Sequence, residues 1–258
     1  NLTMPLDRYL QIAPYLDVLH ISHNWGTVDD FIDGGFANME KKPPRERRAA
    51  QFQRMIDNSR ALAEEGVLVS AETMLNKRTL PYLENIHKQV VEEMKCARHE
   101  IHPMYPSDFA ADLEVLSLEE LREAIHRILD YRNEEIWMLF GTLPFYACSS
   151  QQEDLALLQR LYSSKNVSLR NDPDGRSRLN VNIFTGDVIV TDFGDMPPLG
   201  NIQKETLPDM YDRWISQPLA KSLNCHCPAV KCLGPNILVK NAYYENVDFQ
   251  QLKSQMKL

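Results

Sequence analysis

The sequence has 258 residues, 43% hydrophobic and 25% charged, long enough to bury a full core as one large or two modest domains. No apolar run reaches the length that crosses a bilayer, which argues against a membrane-spanning chain, and a formal charge of −8 argues against a general nucleic-acid surface, which needs a lysine- and arginine-rich face. Five unevenly spaced cysteines and the lack of a basic-then-apolar leader point to a reducing cytoplasm rather than a secreted disulfide framework.

Residue 1 is asparagine, so the chain is expected to be a piece of a longer product. From Tyr15 to about Ala147 short apolar runs alternate with helical periodicity, the sign of repeated β–α units. Leu16 to Ile21 reads as a buried strand, broken by Ser22-His23-Asn24-Trp25-Gly26. Lys41 to Arg48 is a basic, solvated entry to a helix from about Arg45 to Glu65. Phe52, Met55, Ile56, Leu62 and Ala63 share one face of that helix, and Gly66 is its expected stop. Val67 to Ser70 starts the next strand. Thr79 is the expected cap of a helix on which Leu80, Leu83, Ile86, Val90 and Met94 recur at three or four residues. His99 to Met104 is a third strand. Ser117 and Glu120 form a capping box before the stripe Leu118, Leu121, Ile125, Ile128 and Leu129, and Ile136 to Phe140 is a fourth strand.

In such sheets chemistry sits where strands end, because residues there are held rigidly yet reach solvent. The candidates are His20, Ser22, His23 and Asn24 after the first strand, Ser70 and Glu72 on the second, and Glu100 and His102 on the third. His99 and His102 lack the i, i+4 spacing that puts two histidines on one helix face, which excludes a zinc-protease reading.

Beyond a short helix near Glu153 to Tyr162, with Ser150 as its cap, the texture changes. Leu179 to Val190 alternates as a hairpin around Thr185-Gly186, and a helix starting near Thr206 has Met210, Trp214 and Ile215 on its inner side. Three of the five cysteines then fall within eight residues, Cys225-x-Cys227-x4-Cys232. Thiolates this close can grip one zinc ion or iron–sulfur centre. A disulfide with one further thiol, or a redox-active Cys225/Cys227 pair, is the alternative. The economical architecture is therefore α/β, with a β/α region over 1–150 and a small α+β cysteine module over 151–258.

Gly186-Asp187-Val188, Leu199-Gly200-Asn201-Ile202, Trp214 and the three cysteines occur in a telling order. It resembles the hairpin, turn, tryptophan helix and cluster-binding cysteines of radical S-adenosylmethionine enzymes with SPASM or twitch extensions. The C-x-C-x4-C spacing is most similar to the YfkAB type, whose C-terminal portion is the YfkB-like domain. Ile21-Ser22 followed by Gly26 resembles the fourth-strand region of that family, in which a serine touches the cofactor. Asn76 resembles its asparagine after the fifth strand, and Asn1 the one that closes the third.

The resemblance implies the C-terminal half of a partial (β/α) barrel followed by a SPASM/twitch-like module. It implies an auxiliary 4Fe-4S cluster on Cys225, Cys227 and Cys232, with Asp192 or Cys148 as possible fourth ligand. S-adenosylmethionine would contact Ser22 and Asn76, while His20, Glu72 and His102 line the substrate pocket. The implied partners are an N-terminal radical half, fused or separate, and a reductant such as flavodoxin or ferredoxin. The family's C-x3-C-x2-C motif is absent here, so this chain by itself is expected to make no radical. The competing expectation is a non-catalytic zinc module that docks on a separate radical subunit.

Overall fold

The computed structural model describes residues 2–107, 110–171, 175, 179–191, 196–223 and 234–249. Its elements run α1 (Leu6–Leu10), β1 (Val18–Ser22), α2 (Val28–Gly34), α3 (Arg45–Glu64), β2 (Leu68–Leu75), α4 (Leu83–Lys88), β3 (Arg98–Pro103), α5 (Leu118–Tyr131), β4 (Trp137–Gly141), α6 (Gln152–Ser163) and β5 (Val167–Arg170). The five strands form one sheet in the order β1-β2-β3-β4-β5. The first four pair in parallel, and the ascending bonds Met138 N to Asn166 O and Thr142 N to Arg170 O extend the same sense to β5. Parallel neighbours joined by helices are the β–α pattern expected from the sequence.

Contacts divide the chain into two compact units. The first comprises Asn1–Met104, Leu116–Phe140 and Leu161–Leu169; the second comprises Tyr105–Val115, Gly141–Arg160 and Arg170–Leu258.

In the first unit one sheet face carries Ile21, Val69 and Ala71. These pack with Phe31 from α2, with Phe52, Met55, Ile56 and Leu62 from α3, and with Ile86, Val90 and Met94. Gly66 ends α3 as expected: at φ +89 it lets its own N–H reach Ala63 O and that of Val67 reach Leu62 O, which satisfies two carbonyls at the helix terminus. Ser117 and Glu120 make the capping box of α5 in both directions. Thr79 caps no α-helix. Its hydroxyl donates to Met74 O and accepts from Asn76 N, and Pro81 follows in a 3-10 turn, so α4 starts only after Tyr82.

The second unit contains β6 (Asn180–Val181), β7 (Asp187–Ile189), β8 (Gly200–Asn201), α7 (Leu207–Ile215), α8 (Pro218–Leu223) and α9 (Ile237–Tyr243). The three short strands form an antiparallel sheet. Asn201 fastens its edge, donating to Thr185 O at 2.7 Å and to Asp187 Oδ1 at 3.0 Å. Val188, Val190, Leu199, Met210, Trp214 and Ile237 make its core, whereas Ile215, expected inside, is 40% exposed. Tyr105, Tyr146, Val239 and Phe249 form a separate cluster with Cys148 packed against it.

Candidate functional site

Strand alternation sends residues of equal parity to one face, so the register fixes what meets there. His20 lies beside Ser70, Ser70 beside Arg98, and Arg98 beside Trp137; one step on, Ser22, Glu72, Glu100 and Leu139 form the next row. His102 follows on β3 opposite Met74. This is the face opposite the helix-packed core, and its Val18, Leu68 and Trp137 are 38%, 43% and 41% exposed.

Glu100 is the hub, 3% exposed. Its Oε1 accepts from Ser70 Oγ at 3.2 Å and from Arg98 Nε at 2.7 Å, and a second Arg98 nitrogen is also bonded to it. His20 Nδ1 lies 3.3 Å from the same oxygen. Arg98 is itself held 4.7 Å over the Trp137 ring. Burial alone would raise the Glu100 pKa, but the nearby His102 ring, the hydrogen bonds from Arg98 and the charge of Arg98 outweigh it and bring it down to about 2. The carboxylate is therefore ionised at neutral pH. His102 Nε2 is 3.5 Å from Glu100 Oε2 and 3.7 Å from Glu72 Oε1, which brings together the expected pocket residues His20, Glu72 and His102 around a carboxylate.

Ser22 is exposed at the end of β1 beside Glu72. Asn76 closes the turn after β2: its Oδ1 accepts from Arg78 N and Thr79 N, and its Nδ2 faces Met104 Sδ at 3.6 Å. Asn24 Oδ1 accepts from Met74 N at 2.6 Å, tying the ends of β1 and β2. Asp192, Cys225, Cys227 and Cys232 lie outside the described residues, as does Asn1. Among the described residues no three His, Cys, Asp or Glu side chains are placed to hold a metal ion. No described helix is long and apolar enough to cross a membrane.

Sequence reasoning missed Arg98, although Arg98-x-Glu100-x-His102 on a strand already implies one polar face. It named His23 as a candidate but missed the buried His87–His99 pair on the other face. Thr73 Oγ1 donates to His23 O at 2.7 Å and sits 2.9 Å from His99 Nε2, while His99 Nδ1 lies 2.9 Å from His87 Nδ1. His23 Nε2 meets Gln89 Oε1 at 2.9 Å. Burial drives His23 and His87 down to about 4, opposed at His23 by the Gln89 bond and assisted at His87 by Arg132. Burial, then the neighbouring His87 and His23, puts His99 well below the ordinary range against a small opposing pull from Glu100.

Residues 104–254 match the YfkB-like domain family. The chain is 67% identical over 249 residues to the Bacillus subtilis (strain 168) protein YfkA, an overlap covering 96% of this chain and 67% of that protein. No solved structure matches the chain.

Proposed function

We propose, from the premise that this chain belongs to the YfkB-like family, that it is the C-terminal portion of a radical S-adenosylmethionine enzyme. In this reading it completes a partial barrel and binds an auxiliary iron–sulfur cluster beside the substrate. The observation that carries the reading is the parallel sheet of the first unit. Parallel sheets are ordinarily covered on both faces. Here one face holds the core, while the other presents Val18, Leu68 and Trp137 to solvent around the ionised Glu100 cluster. A polar inward face closed by further strands is how a barrel wall would look when part of the barrel lies elsewhere.

S-adenosylmethionine, held mainly by the proposed N-terminal half, would on one-electron reduction from the reductant lose methionine through cleavage of its C5′–S bond and supply a 5′-deoxyadenosyl radical for hydrogen abstraction. Ser22, exposed on the polar face, fits a cofactor contact; Asn76 fits one through Nδ2 alone, since two backbone N–H groups already occupy its oxygen. His20, Glu72 and His102 would orient the substrate and exchange protons with it. Cys225, Cys227 and Cys232 supply three thiolates, a donor set that suits an iron–sulfur cluster with its remaining site open to Asp192, Cys148 or substrate.

His226, between the first two cysteines, favours a second reading in which four protein ligands hold structural zinc and the chain is a docking module. Metal analysis separates the two. Anaerobically prepared protein that is brown, contains iron and acid-labile sulfide, and loses both on Cys232→Ser supports the cluster. Colourless protein containing zinc overturns it.

A further inference from the structure

We infer that the gap between Glu72, Glu100 and His102 binds a positively charged N–H group, so that the substrate carries an amino or guanidino function at this point. The inference deepens the proposed reading, on which it relies for calling the ligand a substrate; binding of the cation itself does not depend on it.

Hydrogen-bond valence is the first ground. Glu100 Oε1 is saturated by Ser70 and Arg98, with His20 close by. Glu100 Oε2, on a residue 3% exposed, faces His102 Nε2 at 3.5 Å. That nitrogen is buried, on a residue 7% exposed, and makes no hydrogen bond among the described residues; Glu72 Oε1 stands 3.7 Å from it. Both separations exceed direct N–H···O bonds, and a donor-rich atom seated among the three groups would restore normal lengths.

Charge is the second. Glu72 and Glu100 are register neighbours, so two carboxylates stand side by side on adjacent strands. The facing groups are His20 and Ser22 from β1, Ser70 and Glu72 from β2, Arg98, Glu100 and His102 from β3, and Trp137 and Leu139 from β4. Among the described residues on this face Arg98 is the one permanent cation, and it is committed to Oε1 and to the Trp137 ring. The gap side of Glu100 thus keeps an excess negative charge in a poorly hydrated spot, which favours a cation over water or an anion. A metal ion is disfavoured, since among the described residues no three acidic or imidazole groups are placed to ligate one, and N–H···O contacts of about 2.9 Å suit a wider cage than direct metal ligation at about 2.0–2.6 Å. The approach is from the side of Glu72 and His20, whose side chains are 40% and 53% exposed.

The test uses the iron-free chain labelled with 15N-histidine, with the His102 ring signals identified through His102→Gln. Methylammonium chloride is titrated against sodium chloride and tetramethylammonium chloride at equal ionic strength. A saturable shift of His102 with methylammonium only, weakened at least tenfold in Glu72→Gln, is expected, since tetramethylammonium has the charge but no N–H. A linear drift, an equal response to tetramethylammonium, or unchanged affinity in Glu72→Gln overturns the inference. Thermal melts confirm that Glu72→Gln folds, as its partly exposed position suggests. Failure of the cluster to form leaves this result unaffected, so the two readings fail separately.

Discussion

His87 and His99 face one another Nδ1 to Nδ1 at 2.9 Å, an arrangement in which one ring must donate and the other accept. Both rings are buried, and neither can take a second proton without placing a charge in the packed layer beneath the sheet.

His23 and His87 have folded pKa values lowered to about 4 from 6.5, so between these limits the unfolded chain binds more protons than the folded one. Stability is full above about pH 6.5 and falls as pH drops toward 4, by on the order of 3 kcal/mol for each histidine. Urea unfolding at pH 7.5 and pH 5 should show a clear loss at the lower pH. His87→Phe should flatten the dependence even if it costs stability overall. A pH-independent midpoint would mean that the rings are not held neutral.

Removing the buried carboxylate strands its partners. Glu100→Gln leaves Arg98 half-paired against Ser70 and removes the charge that faces His20 and His102. Breaking one side of a buried ion pair costs about 3 kcal/mol, and the denaturation midpoint should fall accordingly. Arg98→Met, which keeps an apolar stem over Trp137, should be comparably harmful because Glu100 then loses its strongest donor.

Two glycines with positive φ separate backbone strain from packing. Gly66 at φ +89 has no described atom within 4 Å of the position a Cβ would take, so Gly66→Ala should cost about 1 kcal/mol from the left-handed conformation alone. Gly175 at φ +63 would place that carbon 2.0 Å from Trp214 Nε1. Gly175→Ala should therefore displace the indole as well and cost distinctly more, visible as a shift in tryptophan fluorescence that Gly66→Ala does not produce.

Much of the first unit was legible because its signals are local. The stripe Phe52, Met55, Ile56 and Leu62, the stop at Gly66 and the box of Ser117 with Glu120 each depend on a few neighbouring residues. α2 went unread although Thr27 caps it through Asp30 N, since a seven-residue helix ending in Gly34-Gly35 looks like a loop by composition. β5 was missed because Val-Ser-Leu-Arg alternates too briefly to stand out, and its pairing with β4 is a long-range fact. The same limit hid the counter-charge at the site's centre. His20, Glu72 and His102 were separable candidates along the chain, but Arg98 as the counter-charge of Glu100 and the His87–His99 pair emerge only from register and from the packing of α4 on β3.

That this chain is one part of a radical enzyme is tested most directly by 5′-deoxyadenosine formation from S-adenosylmethionine under anaerobic reduction, comparing a protein of the full length of YfkA with this chain alone. Product from the longer protein only, reduced by Ser22→Ala, is the expected result. An iron-loaded longer protein that forms none, or equal product from this chain alone, would contradict it.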